Sequence, residues 1–262
     1  MNLDLTNKTA LVCGASQGLG FATATELALM GANIIAASRN ENNLQTAIKD
    51  LDTSKGQKHN YLVLDLSNPD EVKQKVSAFI NEGNVIHILI NNAGGPPSAP
   101  MIDTDVEELE KAFRTHVISS HILAQLVVPG MKAAGFGRIV NITSASVKQP
   151  INGLGISNAI RAAVANWAKT LANEISHFGI TINNVLPGYT KTDRVDYLFS
   201  KQASTQNIDK EEVYKKMEAT IPAGRLGEPS EFGAVVAFLC SPAAAYINGI
   251  NLPVDGGRTG SL

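Results

Sequence analysis

Cysteine is scarce in this chain, and charge of one sign is nowhere concentrated. Only two of the 262 residues are cysteine; Cys13 and Cys240 lie far apart, and neither has the His or Cys spacing of a metal site. We expect two small buried thiols in a reducing cytosol and no bound metal. The 22 basic and 24 acidic side chains are dispersed, which argues against a nucleic-acid or membrane partner.

Long hydrophobic runs and a targeting segment are also missing. The N-terminal residues MNLDLTNK do not show the basic, then apolar, pattern of a signal peptide. No apolar run approaches the roughly 18 residues of a membrane span. We therefore expect a cytoplasmic protein. With 44% hydrophobic residues and no linker or repeat, the chain is predicted to form one domain over residues 1–262.

Short apolar segments and helical segments alternate along the chain. Continuously apolar runs, typical of parallel strands covered on both faces, lie at 10–12, 34–37, 61–64, 86–90, 138–142 and 181–186. Helical spacing is found between and after them, at 21–30, 41–51, 70–81, 106–131, 158–176 and 230–239. The sequence thus predicts an α/β fold, a Rossmann-type doubly wound parallel sheet with helices on both faces. Ligands would bind at the carboxyl ends of the strands.

The junction after the first strand carries three closely spaced glycines in the segment GASQGLG. Gly14, Gly18 and Gly20 allow a sharp turn and a close approach of a diphosphate to the backbone. The N–H groups and positive dipole end of the helix that follows favour the anion. Between a strand and a helix, this pattern predicts dinucleotide binding.

The end of the second strand indicates which nucleotide is bound. An acidic side chain there would bond the ribose 2′-OH of NAD, but the chain reads Ser38-Arg39-Asn40. Arg39 offers a fixed cationic fork suited to the 2′-phosphate, so NADP(H) is favoured over NAD(H). Asp65, at the end of the third strand, is predicted either to contact the adenine amino group or to cap the next helix.

These motifs resemble the short-chain dehydrogenases/reductases, and most of all the members similar to 3-oxoacyl-acyl-carrier-protein reductase. The shared features are the GASQGLG loop, the NNAG motif at 91–94, Ser144 after the fifth strand, Pro187-Gly188 and the VDGG motif at 254–257. The resemblance implies hydride transfer to or from a ketone or alcohol, with a nicotinamide cofactor. The residues thereby assigned to the cofactor are Gly14, Ser16, Gln17, Gly18, Leu19, Gly20, Ser38, Arg39, Asn40, Asp65, Leu66, Asn92, Ala93, Gly94, Pro187, Gly188 and Thr190.

The chain departs from the family at the catalytic residues. The family's Tyr and Lys, four residues apart, align with Ser157 and Arg161, and its Asn aligns with His116; only Ser144 is retained. A serine hydroxyl is a poor proton source, whereas tyrosine has a reference pKa of about 10. Arg161 still provides positive charge near the reacting oxygen, although it cannot shuttle a proton. Ser157 and Arg161, at i and i+4, are expected to share one helix face.

The proton donor is open at this stage. His116, with a reference pKa of about 6.5, is a candidate for relay through water, and Tyr189 and Lys148 are further ones. The leading hypothesis is an NADP(H)-dependent oxidoreductase for a small carbonyl or alcohol, acting through Ser144, Ser157, Arg161 and His116. The alternative is a catalytically silent nucleotide-binding homologue that acts as a sensor or partner subunit.

Two further expectations concern the lid and the assembly. The polar, charged stretch from Tyr189 to about Ile221 is predicted to be a substrate lid, since loops of this length in compact domains are usually functional. The family commonly associates through its two long helices, which implies a homodimer or homotetramer. Alanines 162, 165, 168 and 172 are expected to leave a smooth helix surface for a second subunit.

Overall fold

A computed structural model describes residues 1–261, and its centre is one seven-stranded parallel sheet. The strand order is β3-β2-β1-β4-β5-β6-β7, and every adjacent pair is parallel. The predicted doubly wound sheet is confirmed, with one strand, β7, that the sequence patterns did not reveal. The strands are β1 Thr9–Cys13, β2 Asn33–Ser38, β3 Asn60–Val63, β4 Ile88–Asn91, β5 Gly137–Ile142, β6 Ile180–Pro187 and β7 Asn251–Val254.

Helices cover both faces of this sheet. They are α1 Gly18–Leu29, α2 Glu41–Lys49, α3 Pro69–Asn81, α4 Val106–Phe113, α5 Ser119–Ala134, α6 Gly155–Ile175, α7 Asp193–Gln206, α8 Lys210–Glu218 and α9 Pro229–Cys240. A π-helical turn, Arg114–Ile118, joins α4 to α5. Short 3₁₀ turns lie at Met101–Asp103, Ala145–Val147, Ser176–Phe178 and Pro242–Ala244.

Consecutive residues of the central strands belong to two different cores. Val12 and Ile90 pack with residues of α1 and α9 on one face, whereas Leu11 and Leu89 pack with α3, α5 and α6 on the other. Because side chains alternate across a strand, burial on both faces requires an unbroken apolar run. This explains why the central strands could be read directly from the sequence.

The predicted lid is not a loop. Residues 193–206 and 210–218 form α7 and α8, which pack around a small hydrophobic core of their own. Phe199 and Val213 are buried at its centre, and the ring of Tyr214 meets Phe199 edge-on at 4.8 Å between centroids. The segment is polar in composition because each helix presents only a narrow apolar stripe to the other.

The long helices also correct one expectation. Three of the four alanines expected to face a second subunit, Ala165, Ala168 and Ala172, are buried; Ala168 and Ala172 pack within the chain's own core beneath α6. Small side chains let α6 lie close to the sheet. The stretch Val106–Ala134 has the length and hydropathy of a membrane span, but its buried residues, among them Leu123, pack in the core of the fold.

A row of four asparagines crosses the sheet. Asn91, Asn141, Asn184 and Asn251 are register partners on β4, β5, β6 and β7. Each side-chain Nδ2 donates to the Oδ1 of the next residue, at 2.8 Å in all three steps. We call this the asparagine row. It ties the carboxyl halves of β4, β5 and β6 to the start of β7.

Candidate functional site

The glycine loop after β1 has the backbone that its sequence requires. Gly14 and Gly18 have φ of +63° and +58°, in the left-handed region that side chains disfavour. At Gly14 an added Cβ would lie 2.6 Å from Asn92 Nδ2. At Gly20 it would lie only 2.1 Å from the carbonyl oxygen of Gly14, so α1 starts in direct contact with the end of β1. The loop is therefore an open cradle at a helix N-terminus.

A cavity of about 850 Å³ runs along this edge of the sheet. In sheet order it passes Asp65 after β3, Arg39 after β2, the glycine loop after β1, Gly94 after β4 and Gly188 after β6. We call it the first cavity. Of the seventeen residues assigned to the cofactor, Gly20 does not line it, since its role is to let α1 pack closely. The others do: Gly14, Ser16, Gln17, Gly18, Leu19, Ser38, Arg39, Asn40, Asp65, Leu66, Asn92, Ala93, Gly94, Pro187, Gly188 and Thr190.

The end of the first cavity near β2 and β3 is polar. Ser38 Oγ is buried and has no hydrogen-bond partner within residues 1–261, while the neighbouring Arg39 is exposed. Asn40 caps α2, its side chain accepting from Asn43 N at 3.1 Å. Asp65 Oδ1 accepts from the N–H and hydroxyl of Ser67, in the turn before α3. The residue that caps α3 is Asn68, whose side chain accepts from Glu71 N, so the capping alternative for Asp65 is wrong.

Asn92 connects two of the segments that line the middle of the cavity. Its Nδ2 donates to the carbonyl of Cys13 at 3.2 Å, which ties the loop after β4 to the end of β1. Burial raises the pKa of the Cys13 thiol to about 12, so this cysteine is a neutral wall of the cavity rather than a nucleophile. Cys240 is likewise free and buried. The expectation of two structural thiols is thus in accord with their burial.

His116 lines the cavity from the π-helical turn between α4 and α5. Such turns recur at functional sites because they add a residue to the helix and re-aim a side chain. Burial, reinforced by the positive charge of Arg161, lowers the pKa of His116 to about 3, against a smaller opposing effect of its hydrogen bond to the Gly94 backbone. The expected titration near neutrality is therefore wrong: the imidazole is neutral, and has no imidazolium proton to donate.

Arg161 lines the same part of the cavity from α6. Its Nη1 donates to the Ile142 carbonyl at 2.9 Å and its Nη2 to the Ala93 carbonyl at 3.5 Å, while its buried Nε has no partner within residues 1–261. Burial lowers the pKa of Arg161 to about 10, which still leaves the guanidinium charged at neutral pH. This residue is thus a fixed buried cation joined to the ends of β4 and β5.

Neither of the two candidate serines, Ser144 and Ser157, lines the first cavity. Ser144 is half-buried and precedes the 3₁₀ turn Ala145–Val147; its Oγ accepts from Ser146 N at 3.1 Å, which leaves its own proton available for donation. Ser157 is half-buried in the first turn of α6, on the same helix as Arg161 as the i, i+4 spacing predicts. The structure therefore brings His116 and Arg161 together, with the serines to one side.

Several residues of the cavity were not identified from the sequence. Thr192 caps α7 and lies near Gly18, whose added Cβ would be 3.7 Å from its methyl carbon. Arg194 follows it and lies 3.8 Å from the corresponding position on Gly95. Lys111, one turn before His116, also lines the cavity. The signal for Thr192 was the second hydroxyl in YTKT; Lys111 and Arg194 had none beyond helix position.

Comparisons with known proteins agree with this geometry. Residues 14–259 match the family model described as enoyl-(acyl carrier protein) reductase. The chain is 36% identical over 258 residues to 3-oxoacyl-[acyl-carrier-protein] reductase of Vibrio cholerae, covering 97% of this chain and 98% of that protein. It is 33% identical over 258 residues to gluconate 5-dehydrogenase of Gluconobacter oxydans, covering 98% and 97%.

Solved structures are similar over the whole chain. L-sorbose reductase from Gluconobacter frateurii, in complex with NADPH and L-sorbose, has a TM-score of 0.94 and 28% identity, with full coverage of both chains. YwfH, an NADPH-dependent reductase involved in bacilysin biosynthesis, has a TM-score of 0.92 and 27% identity, covering 98% of this chain and 100% of YwfH. The fold and the sequence thus point to the same group of proteins.

Proposed function

Because this chain belongs to the short-chain dehydrogenase/reductase family of oxidoreductases, we propose that it transfers a hydride between NADP(H) and a small carbonyl or alcohol. The observation that carries the proposal is the first cavity. It begins at Arg39, crosses the glycine cradle and ends at the buried cation Arg161. A dinucleotide bound at the carboxyl ends of parallel strands occupies this position in doubly wound sheets.

The residues at the β2 end fit a 2′-phosphate. Arg39 forms no ion pair with any residue from 1 to 261, so its guanidinium is free to bind an anion. Ser38 Oγ, buried beside it without a partner, would gain a hydrogen bond from the same phosphate. The two residues that follow β2 directly, Arg39 and Asn40, are not acidic and do not repel it. NADPH in the complexes of L-sorbose reductase and of actinorhodin polyketide ketoreductase supports the same choice.

The bound cofactor would supply the hydride, and the chain's own residues would stabilise the charge that develops on the substrate oxygen. Arg161 places a fixed, desolvated positive charge at this end of the cavity. Ser144 has a free hydroxyl proton with which to bind the oxygen, since its own acceptor lone pair is used by Ser146 N. Ser157 is a second hydroxyl donor on the Arg161 side.

The proton itself is proposed to come from water. His116 is neutral at physiological pH, and Tyr189 packs between the Phe199 ring and the Arg258 guanidinium. Three buried polar atoms lie around the ends of β4 and β5 without a partner within residues 1–261: Asn91 Oδ1, Ser146 Oγ and Arg161 Nε. Ordered water satisfies such atoms, and here it would lie close to the reacting oxygen.

The test is a screen of purified protein with NADPH and NADH against ketones, aldehydes and oxoacyl thioesters. Ser144→Ala should lower turnover of an accepted substrate by about 100-fold, because one donor to the developing charge is lost. Unchanged turnover in that variant would refute the role of Ser144. Saturable NADPH binding without any turnover would instead favour the silent homologue.

A second variant tests whether the site keeps the family's geometry and lacks only the family's proton donor. Ser157→Tyr combined with Arg161→Lys restores the family's acid and its lysine on the same face of α6. If the site is otherwise intact, carbonyl reduction should increase, because tyrosine supplies the proton that serine does not. A fall in turnover with unchanged NADPH affinity would mean that the surrounding pocket no longer accepts the family's constellation.

We also propose a homodimer or homotetramer in the cytoplasm, formed by a single domain with residues 189–221 as its lid. Phe113 and Ile118 are 41% and 37% exposed on the long helical stretch, and Val106 is 65% exposed. Exposed apolar side chains on this stretch favour burial by a second copy. Sedimentation as a monomer at micromolar concentration would contradict this assembly.

The lid is supported by Thr192 and Arg194, which line the first cavity from the start of α7.

A further inference from the structure

A second cavity lies apart from the one described above. Its volume is about 330 Å³, and its lining shares no residue with the first cavity. The lining residues are Ala145, Gln149, Pro150, Ile151, Thr220, Arg258 and Thr259. They come from the turn after β5, the end of the lid and the loop after β7, three segments that meet only in the folded chain. We call it the second cavity.

This cavity adjoins both serines of the proposed catalytic site. Ala145, which lines the second cavity, directly follows Ser144 in the sequence. Ile151 is held by Asn158, the residue after Ser157, through two hydrogen bonds: Ile151 N to Oδ1 at 3.2 Å and Nδ2 to Ile151 O at 2.9 Å. A substrate whose reacting oxygen is near the serines would therefore have the second cavity within reach for its remaining part.

Arg258 is the one positive charge among the lining residues, and no carboxylate is among them. Its loop is ordered by Asp255, whose Oδ1 accepts from Gly257 N at 3.0 Å and whose Oδ2 accepts from Thr259 N at 2.8 Å. The guanidinium lies over the Tyr189 ring, 4.6 Å from its centroid. Its single side-chain hydrogen bond within residues 1–261 is a long one, from Nε to Thr220 Oγ1 at 3.5 Å.

We propose that the second cavity binds an oxyanion of the substrate, a carboxylate or a phosphate, through Arg258. The inference rests on the proposed hydride transfer and adds the substrate class. The contact with Tyr189 holds the guanidinium on one side, and its terminal nitrogens have no acceptor within residues 1–261. A planar fork of this kind pairs with two oxygens of one anion. Gln149 and Thr259 line the same cavity and carry neutral donors.

The experiment compares three ketone probes with the NADP⁺-loaded protein and with the protein alone, by calorimetry. The probes are 5-ketogluconate, fructose 6-phosphate and the neutral ketose L-sorbose. We expect at least one charged probe to bind more tightly than L-sorbose. Arg258→Met should weaken that binding by about 10- to 100-fold, the equivalent of one charge-assisted pair, and leave L-sorbose within about twofold. Arg258→Lys should restore part of the loss. Lys49→Met, which removes an exposed charge at the end of α2, should change none of these values.

Each possible result of these titrations either supports or overturns the inference. Charged and neutral probes that bind equally, or a charged probe whose affinity does not change in Arg258→Met, would overturn the inference. Loss of all three probes together in Arg258→Met would show that the arginine only supports the fold through Tyr189, and would also overturn it. Failure of NADPH to bind would refute the proposed function instead, and the titrations of the protein alone would still report on Arg258.

Discussion

Gly20 offers the sharpest test of how the glycine loop works. In Gly20→Ala, the added methyl group would lie 2.1 Å from the Gly14 carbonyl oxygen and 2.8 Å from Asn92 Nδ2. Contact distances between such atoms are roughly 3.5 Å, so α1 or the end of β1 has to move by about 1 Å. Neither neighbour can rotate away, because one is backbone and the other is bonded to the Cys13 carbonyl.

The magnitude follows from two opposing effects. Forcing a methyl group into a packed contact costs about 1–3 kcal/mol. Replacing glycine by alanine in a helix regains at most about 1 kcal/mol, and less in the first turn. The net loss of about 1–2 kcal/mol should lower Tm by roughly 2–8 °C in a chain of this size. NADPH binding should weaken by more than about tenfold, since the N–H groups of the first turn of α1 shift with the helix.

Thermal denaturation with and without NADPH, together with a fluorescence titration, measures both quantities. Gly130→Ala is the matched control: it lies inside α5, and its added Cβ would meet Val85 at 3.4 Å, an ordinary contact. That variant should keep Tm within about 3 °C and leave NADPH affinity unchanged. A Gly20→Ala protein with the stability and NADPH affinity of the parent would refute the close-packing argument.

Two further predictions concern charged groups of the first cavity. Arg39→Met should raise the Kd for NADPH by about 10- to 100-fold and leave that for NADH within about twofold, because the proposed role of the guanidinium is to bind the 2′-phosphate that NADH lacks. Equal losses for both nucleotides in calorimetry would contradict the assignment. His116→Asn should make stability less dependent on pH. Since the pKa of His116 is lowered to about 3 in the folded chain, only the unfolded state takes up its proton as pH falls below about 6.5. The parent should therefore lose about 1 kcal/mol more than the variant between pH 6.5 and pH 5.5, and denaturation curves that shift equally in the two proteins would exclude a buried neutral imidazole.

The parts of the fold that could be predicted are those whose cause is local. The glycine loop, the central strands and the starts of α3 and α9, which lie within one residue of the predicted 70 and 230, each depend on residues close in sequence. The last strand, β7, is only four residues long and contains Pro253, so its strand character comes from pairing with β6 rather than from its own composition. The lid helices were missed for a related reason, since their buried faces are completed by Ile221 and Leu226, beyond both helices.

The candidate site likewise has features that could be predicted from the sequence and features that could not. The residues assigned to the cofactor follow strand ends, so their convergence on one edge is a consequence of parallel topology. The state of His116 is different, because its pKa depends on burial and on Arg161, which lies 45 positions later in the sequence. The backbone partners of Arg161, the carbonyls of Ile142 and Ala93, also come from distant strands. Residue type identified these side chains, and only the packed structure defines their chemistry.

The asparagine row has a consequence for motion and for sequence change. Asn141 and Asn184 each donate to one neighbour and accept from the other, so replacing either of them leaves two amide groups without partners and costs about 1–3 kcal/mol for each group. These four positions are therefore expected to vary together or not at all. The row also makes this part of the sheet, beneath the proposed ligand site, rigid. If the protein turns over as proposed, we expect opening and closing of the site in the proposed lid after Pro187, which a crystal series or hydrogen exchange would locate.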